Sequence, residues 1–152
     1  MSLKYDVASV LERESEITIA DWYALVDAEP DLAVMPLTRE DRCMHLPEMF
    51  RDLVSRLRNP LPLGTHALAS AAARDHGCLR RDQGYTAAMM VEESRMLQVS
   101  IFQTLQLHVE DTKSGVLLLK VMVIADEVDS QLAQAMTGYI SEANKDAEPI
   151  TP

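Results

Sequence analysis

The chain has 152 residues, enough for one domain with a real core and hardly enough for two. Apolar residues make up 47%, aromatics only 5%, and there are nine methionines, so the sequence is globular and its core suits helix-on-helix packing better than a β-sandwich. The net charge of −10 disfavours nucleic acid and anionic membrane surfaces as partners.

The first segment, about Tyr5 to Ala28, carries Val7, Val10 and Leu11, then Ile17, Ile19, Trp22, Leu25 and Val26. Its polar middle, Glu12 to Glu16, predicts two short helices with a kink. Pro30 and Pro36 bracket a loop. Thr38 with Asp41 three residues on resembles an N-cap. Leu46, Met49, Phe50, Leu53, Val54 and Leu57 then follow helical spacing, with a restart expected near His45 because of Pro47.

Asn59 to Gly64 is a second loop, and a third helix is expected over Thr65 to Asp82. Gly77 costs about 1 kcal/mol in a helix interior, so a close contact should offset it. Gly84 fits a C-terminal cap; Thr86 fits an N-cap, with Tyr85 and Met90 as a hydrophobic staple. The fourth helix shows a stripe through Met90, Leu97, Ile101, Leu105 and Val109.

The last segment is locally β-branched, but Leu118, Val121, Ala125, Val128, Leu132, Ala135 and Tyr139 step by three and four over three heptads. That predicts one long helix, about Gly115 to Glu142. Its seam is either one face of a bundle or, as the heptads favour, partly a dimerisation surface. The expected fold is all-α: a single helical domain over residues 1–152, with about five to six helices and a long C-terminal one.

The two cysteines, Cys43 and Cys78, form no CxxC pair and are expected to be reduced thiols in a cytoplasmic protein. Lys4 and Asp6 interrupt the stretch that a signal peptide would keep apolar. The longest apolar run, Val116 to Ala125, is broken by Lys120 and falls short of the roughly 20 residues a span requires.

No catalytic motif is legible: there is no P-loop, GxGxxG, HExxH or GxSxG. No cofactor is expected. Metal or haem ligation lacks carboxylate partners at helical spacing for His66 and His76; His45 has Glu48 and His108 has Asp111, but no second copy of either pattern exists. A phosphotransfer role for His76 is a second reading, although His76-Gly77-Cys78-Leu79-Arg80 matches the usual His-x-Leu-Lys-Gly poorly, and a haem- or metal-binding sensor bundle is a third.

The chemistry-bearing residues gather between Asp75 and Glu93. His76, Arg80 and Gly84 share one helix face, and Arg80 can reach Glu93 across the turn. His76 is expected to bond a backbone carbonyl or Tyr85. Arg74, Arg80 and Arg81 make this the most basic spot of an acidic chain. Internal pairing with Asp82, Glu92 and Glu93 is one outcome and an anionic ligand another.

The run His76-Gly77, Arg80, Gly84-Tyr85, Glu93, Leu97 and Ile101 resembles the N-terminal sensory domain of the RsbRD-type co-antagonists of RsbT, a domain that also precedes many bacterial sensor histidine kinases. Upstream, His45-Leu46-Pro47 with Phe50 and Leu53 is similar to the family's Leu-Pro helix, and Trp22 stands where a Trp is common. The likeness covers roughly Trp22 to Tyr139. It departs at Gln98, where an Arg is expected. Family members usually continue into a kinase core or STAS domain, whereas this sequence stops at Pro152. The resemblance implies a non-catalytic input module that senses a small ligand or other signal. It implies passage of that signal along the last helix to a partner output domain; the homodimer is what the heptad seam favours.

Overall fold

Four helices begin in the same way, with a short side-chain oxygen accepting a backbone N–H from the first turn. Asp6 takes that of Ser9 at 3.3 Å, Thr38 that of Asp41 at 3.1 Å, Ser70 that of Ala73 at 3.1 Å and Thr86 that of Met89 at 3.2 Å. Each bond satisfies a donor that the helix itself leaves unpaired. The computed structural model describes residues 6–65, 70–108 and 114–147.

Among the described residues, eight helical elements follow in chain order: α1 (Val7–Arg13), α2 (Ser15–Ala28), α3 (Pro30–Ala33), α4 (Arg39–Cys43), α5 (Leu46–Arg58), α6 (Ala71–Asp82), α7 (Ala87–His108) and α8 (Ser114–Asp146). The single-turn α3 and α4 are connections, which leaves six substantial helices. No strand occurs among the described residues, and none of their helices is long and apolar enough to cross a membrane. The all-α bundle with a long last helix is therefore observed.

The kinks fall where polarity and proline place them. α1 gives way to α2 at Glu14, and α5 restarts at His45 with Pro47 in its first turn, where a missing N–H costs nothing. The α6 boundary differs from expectation. Thr65 lies in a turn, its N–H bonded to the Pro62 carbonyl at 3.2 Å, and the helix starts only after Ser70. Ser70 is fixed as the cap because its hydroxyl also donates to Asp52 on α5 at 2.6 Å. His66, Ala67 and Ala69 lie outside the described residues, as does Val109 beyond α7.

The C-terminus of α6 is a Schellman turn. The Tyr85 N–H bonds the Arg80 carbonyl and the Gly84 N–H the Arg81 carbonyl, both at 3.0 Å, with Gly84 at φ +91°. This turn sends the chain straight into α7, so α6 and α7 share the hydrogen-bonded junction.

α6 lies against the middle of α8, and small residues permit the approach. A Cβ on Gly77 would stand 1.7 Å from the Ala135 carbonyl oxygen, and one on Gly138 would stand 2.2 Å from that of Arg74. The close contact expected at Gly77 is real, and its counterpart Gly138 was not foreseen. α2 packs on α7, α1 on α5, and α5 and α7 both pack against α8. Trp22 is wholly buried at the centre and donates its indole N–H to the Glu93 carbonyl at 3.1 Å, tying α2 to α7.

The heptad seam of α8 divides. Val128, Ala135 and Tyr139 are buried inside this chain, and Ala135 and Tyr139 meet α6 and its turn. Val121, Ala125 and Leu132 are half-buried, while Leu118 is 61% exposed. The C-terminal half of the seam is thus occupied by the bundle itself, which narrows the expected dimerisation surface to the N-terminal part of α8.

Gly77→Ala and Gly138→Ala should each lower unfolding free energy by about 3 kcal/mol or more, because the added methyl meets backbone that can yield only by separating two helices. Urea denaturation followed by circular dichroism measures this; wild-type midpoints for both variants would contradict the packing.

Candidate functional site

His76 and Arg80 stand one turn apart on α6 and face Glu93 on α7. His76 Nε2 and Arg80 Nε both reach the same oxygen, Glu93 Oε1, at 2.9 Å. All three side chains are buried, at 6%, 0% and 4% exposure. The Arg80–Glu93 pair matches expectation; His76 does not bond a carbonyl or Tyr85, because the Glu93 carboxylate is the stronger acceptor within its reach.

Arg80 spends its other donors on the junction. Nη1 donates to Gln83 Oε1 at 2.7 Å, Nη2 donates to the Arg42 carbonyl at 2.5 Å, and the guanidinium lies 4.8 Å from the Tyr85 ring centroid. Tyr85 extends the cluster in two directions. Its hydroxyl accepts from Arg42 Nη1 at 2.8 Å, and its carbonyl accepts from the Tyr139 hydroxyl of α8 at 2.7 Å. Arg42 also donates to the Met35 carbonyl at 3.0 Å. One buried network therefore holds the loop after α3, α4, α6, α7 and α8.

Arg42 went unnoticed in the sequence. It sits in a five-residue helix whose only local signal is its Thr38 cap, and its partner lies 43 positions away. Of the other arginines singled out, Arg81 reaches Asp146 at 3.3 Å and the Tyr139 hydroxyl at 3.2 Å. Glu92 pairs with Arg95 on the surface and takes no part. Gly77 and Gly84 serve the backbone.

The electrostatics follow from burial and pairing. Burial alone pushes the Glu93 carboxyl up, but the His76 hydrogen bond and the Arg80 charge outweigh it and hold the group below its ordinary value, so it is a carboxylate. Burial, then the Glu93 charge, raises the Tyr85 hydroxyl far above neutrality. His45, the N-cap residue of α5, sits edge-on to His76 with ring centroids 5.8 Å apart. Its pKa is lowered by burial first and by His76 next.

A second buried polar group lies between α5 and α8. Arg56 meets Asp126 at 3.0 Å and Glu127 at 3.8 Å, and Gln131 donates to the Met49 carbonyl at 3.0 Å and to Glu127 at 3.3 Å. Burial pushes the Glu127 carboxyl up. Between this group and the Glu93 cluster lies a partly enclosed cavity of about 30 Å³, reached by Trp22, His76, Glu93 and Ser94 on one side and by Gln131 and Leu132 on the other.

The arrangement suits structural coupling better than group transfer. A phosphoryl acceptor must face its donor, whereas His76 is buried with Nε2 held by Glu93. Among the described residues, no three or more His, Cys, Asp or Glu side chains converge as a metal-binding group. Comparison with protein-family models, curated proteins and solved structures gives no match.

Arg80→Ala should cost about 3–5 kcal/mol, because it strands the buried Glu93 charge. His76→Ala should cost about 1–3 kcal/mol. Equilibrium urea unfolding reads both, and wild-type stability for either would contradict the cluster's role. A lowered Glu93 pKa means stability present above the unfolded-state value and lost as pH falls through the folded one. Stability should therefore decline below about pH 4.5 less steeply in Glu93→Gln than in the wild type.

Proposed function

We propose that this chain is a non-catalytic input domain of a bacterial signal-transduction protein, of the RsbRD type. A perturbation of the Glu93 cluster is passed along α8 to an output partner such as a kinase core or STAS domain. The observation that carries this reading is the double attachment of the cluster to α8. Tyr139 donates to the Tyr85 carbonyl at 2.7 Å, and Gly77 on the helix bearing His76 and Arg80 abuts Ala135. α8, a helix of 33 residues, is thus tied in its C-terminal half to the helix and turn that carry the ion pair, which is how a shift of the pair would move it.

The reading includes self-association through the N-terminal part of α8, where the seam residue Leu118 is exposed beside Val116 and Leu119. Light scattering after size-exclusion should give a dimer that Leu118→Asp converts to a monomer. A wild-type monomer at high concentration would remove the dimer from the account. Val128→Asp is a test of folding instead, since Val128 is buried within the chain.

The signalling claim is tested in a chimaera with α8 continued in helical register into a kinase core. His76→Asn and Glu93→Gln, each checked for helical content, should change autophosphorylation by about threefold or more, the scale of a typical coupling energy. Two glycines inserted after Asp146 should erase the difference. Equal activity in all forms would contradict the reading.

A further inference from the structure

Away from the Glu93 cluster, a groove of about 240 Å³ opens where the junction of α1 and α2 faces α5. Its long wall is α5, from Pro47 in the first turn to Asn59 at the C-cap. Arg51, Ser55 and Arg58 step by four and three residues along one face of that helix and line the groove, over a floor of Phe50 and Val54. Such a volume is roughly eight times the share of one water in the liquid, which admits an organic molecule of about ten non-hydrogen atoms.

The charges in the groove do not balance. Arg58 Nη1 donates to Glu12 Oε2 on the opposite wall at 2.6 Å. Among the described residues Arg51 has no ion pair, and its hydrogen bond from Nε runs back to the Pro47 carbonyl of its own helix at 3.5 Å. Two guanidiniums against one carboxylate leave a positive charge in a chain whose net charge is −10. One further carboxylate restores balance, and its planar shape fits the guanidinium fork. A phosphate monoester, close to doubly charged at neutral pH, overshoots the balance beside Glu12. A cation adds to the excess. Pro47, Phe50 and Val54 favour a body that is apolar.

We propose that this groove binds a small organic carboxylate, its charged end on Arg51 and Arg58 and its apolar body over Phe50 and Val54. The bound anion competes with Glu12 for Arg58. The site shares no residue with the Glu93 cluster, so it stands or falls independently of the input-domain reading.

Benzoate and benzamide are alike in shape and size, and only benzoate is charged. Each is titrated into ¹⁵N-labelled protein, with the side-chain Nε–H signals of Arg51 and Arg58 as reporters. Benzoate should give saturable shifts of both signals with a Kd in the range of about 0.3–10 mM, as its size allows. Benzamide should bind at least about tenfold more weakly. Arg51→Gln should weaken benzoate about tenfold, whereas Glu12→Gln, which frees Arg58, should tighten it about threefold. Both substituted side chains are exposed, so the variants keep the fold. Equal affinity for benzoate and benzamide would refute the charge requirement. Wild-type affinity in both variants, or no saturation by benzoate, would refute the site.

Discussion

A carboxylate buried at the meeting point of three helices sets the terms for everything around it. Glu93 has lost its water, and a charge in that position is tolerable only when opposite charge and good hydrogen bonds replace the lost hydration. Arg80 and His76 supply them, and each needs a fixed backbone to do so. Arg80 is fixed because its own carbonyl accepts the Tyr85 N–H in the turn that ends α6. Glu93 is fixed because its carbonyl accepts the Trp22 indole. The ion pair and the turn are thus mutually dependent, and Arg42 and Tyr139 join because Tyr85 brings a hydroxyl and a carbonyl to the same place.

The close packing of α6 on α8 gives this cluster its reach. Glycines at 77 and 138 bring two backbones together without side chains between them, so α6 cannot rotate or slide without moving α8. Packed interfaces of this kind switch between arrangements more readily than they deform, which is what transmission through a helix requires. The polar group of Arg56, Glu127 and Gln131 holds α8 against α5 one turn further toward its N-terminus. Only beyond it does α8 present Leu118 and Leu119 outward.

Local signals made most of the architecture legible. Thr38, Pro47, Gly84 and Thr86 each act through bonds within a few residues, so their caps and breaks could be placed from the chain alone. Arg80 and Glu93 were also within reach, because a single tight turn separates their helices. What failed was long-range. Thr65 lost the start of α6 to Ser70 because a bond to Asp52, 18 residues back, fixes the cap. Arg42, Tyr139 and Gly138 depend on partners 43 to 64 residues away, and nothing near them in sequence marks the role. Of the α8 seam, Val128, Ala135 and Tyr139 pack inside the chain while Leu118 is exposed, since period alone does not say whether the partner helix belongs to the same chain.

The central claim is that the Glu93 cluster and α8 form one mechanical unit. Native-state amide hydrogen exchange of Glu93→Gln against wild type tests it most directly. The account predicts exchange at least about tenfold faster in α8 around Ala135 to Tyr139, together with the α6–α7 turn, while α1 stays unchanged. Acceleration confined to α6 and α7, with α8 exchanging as in the wild type, would contradict it.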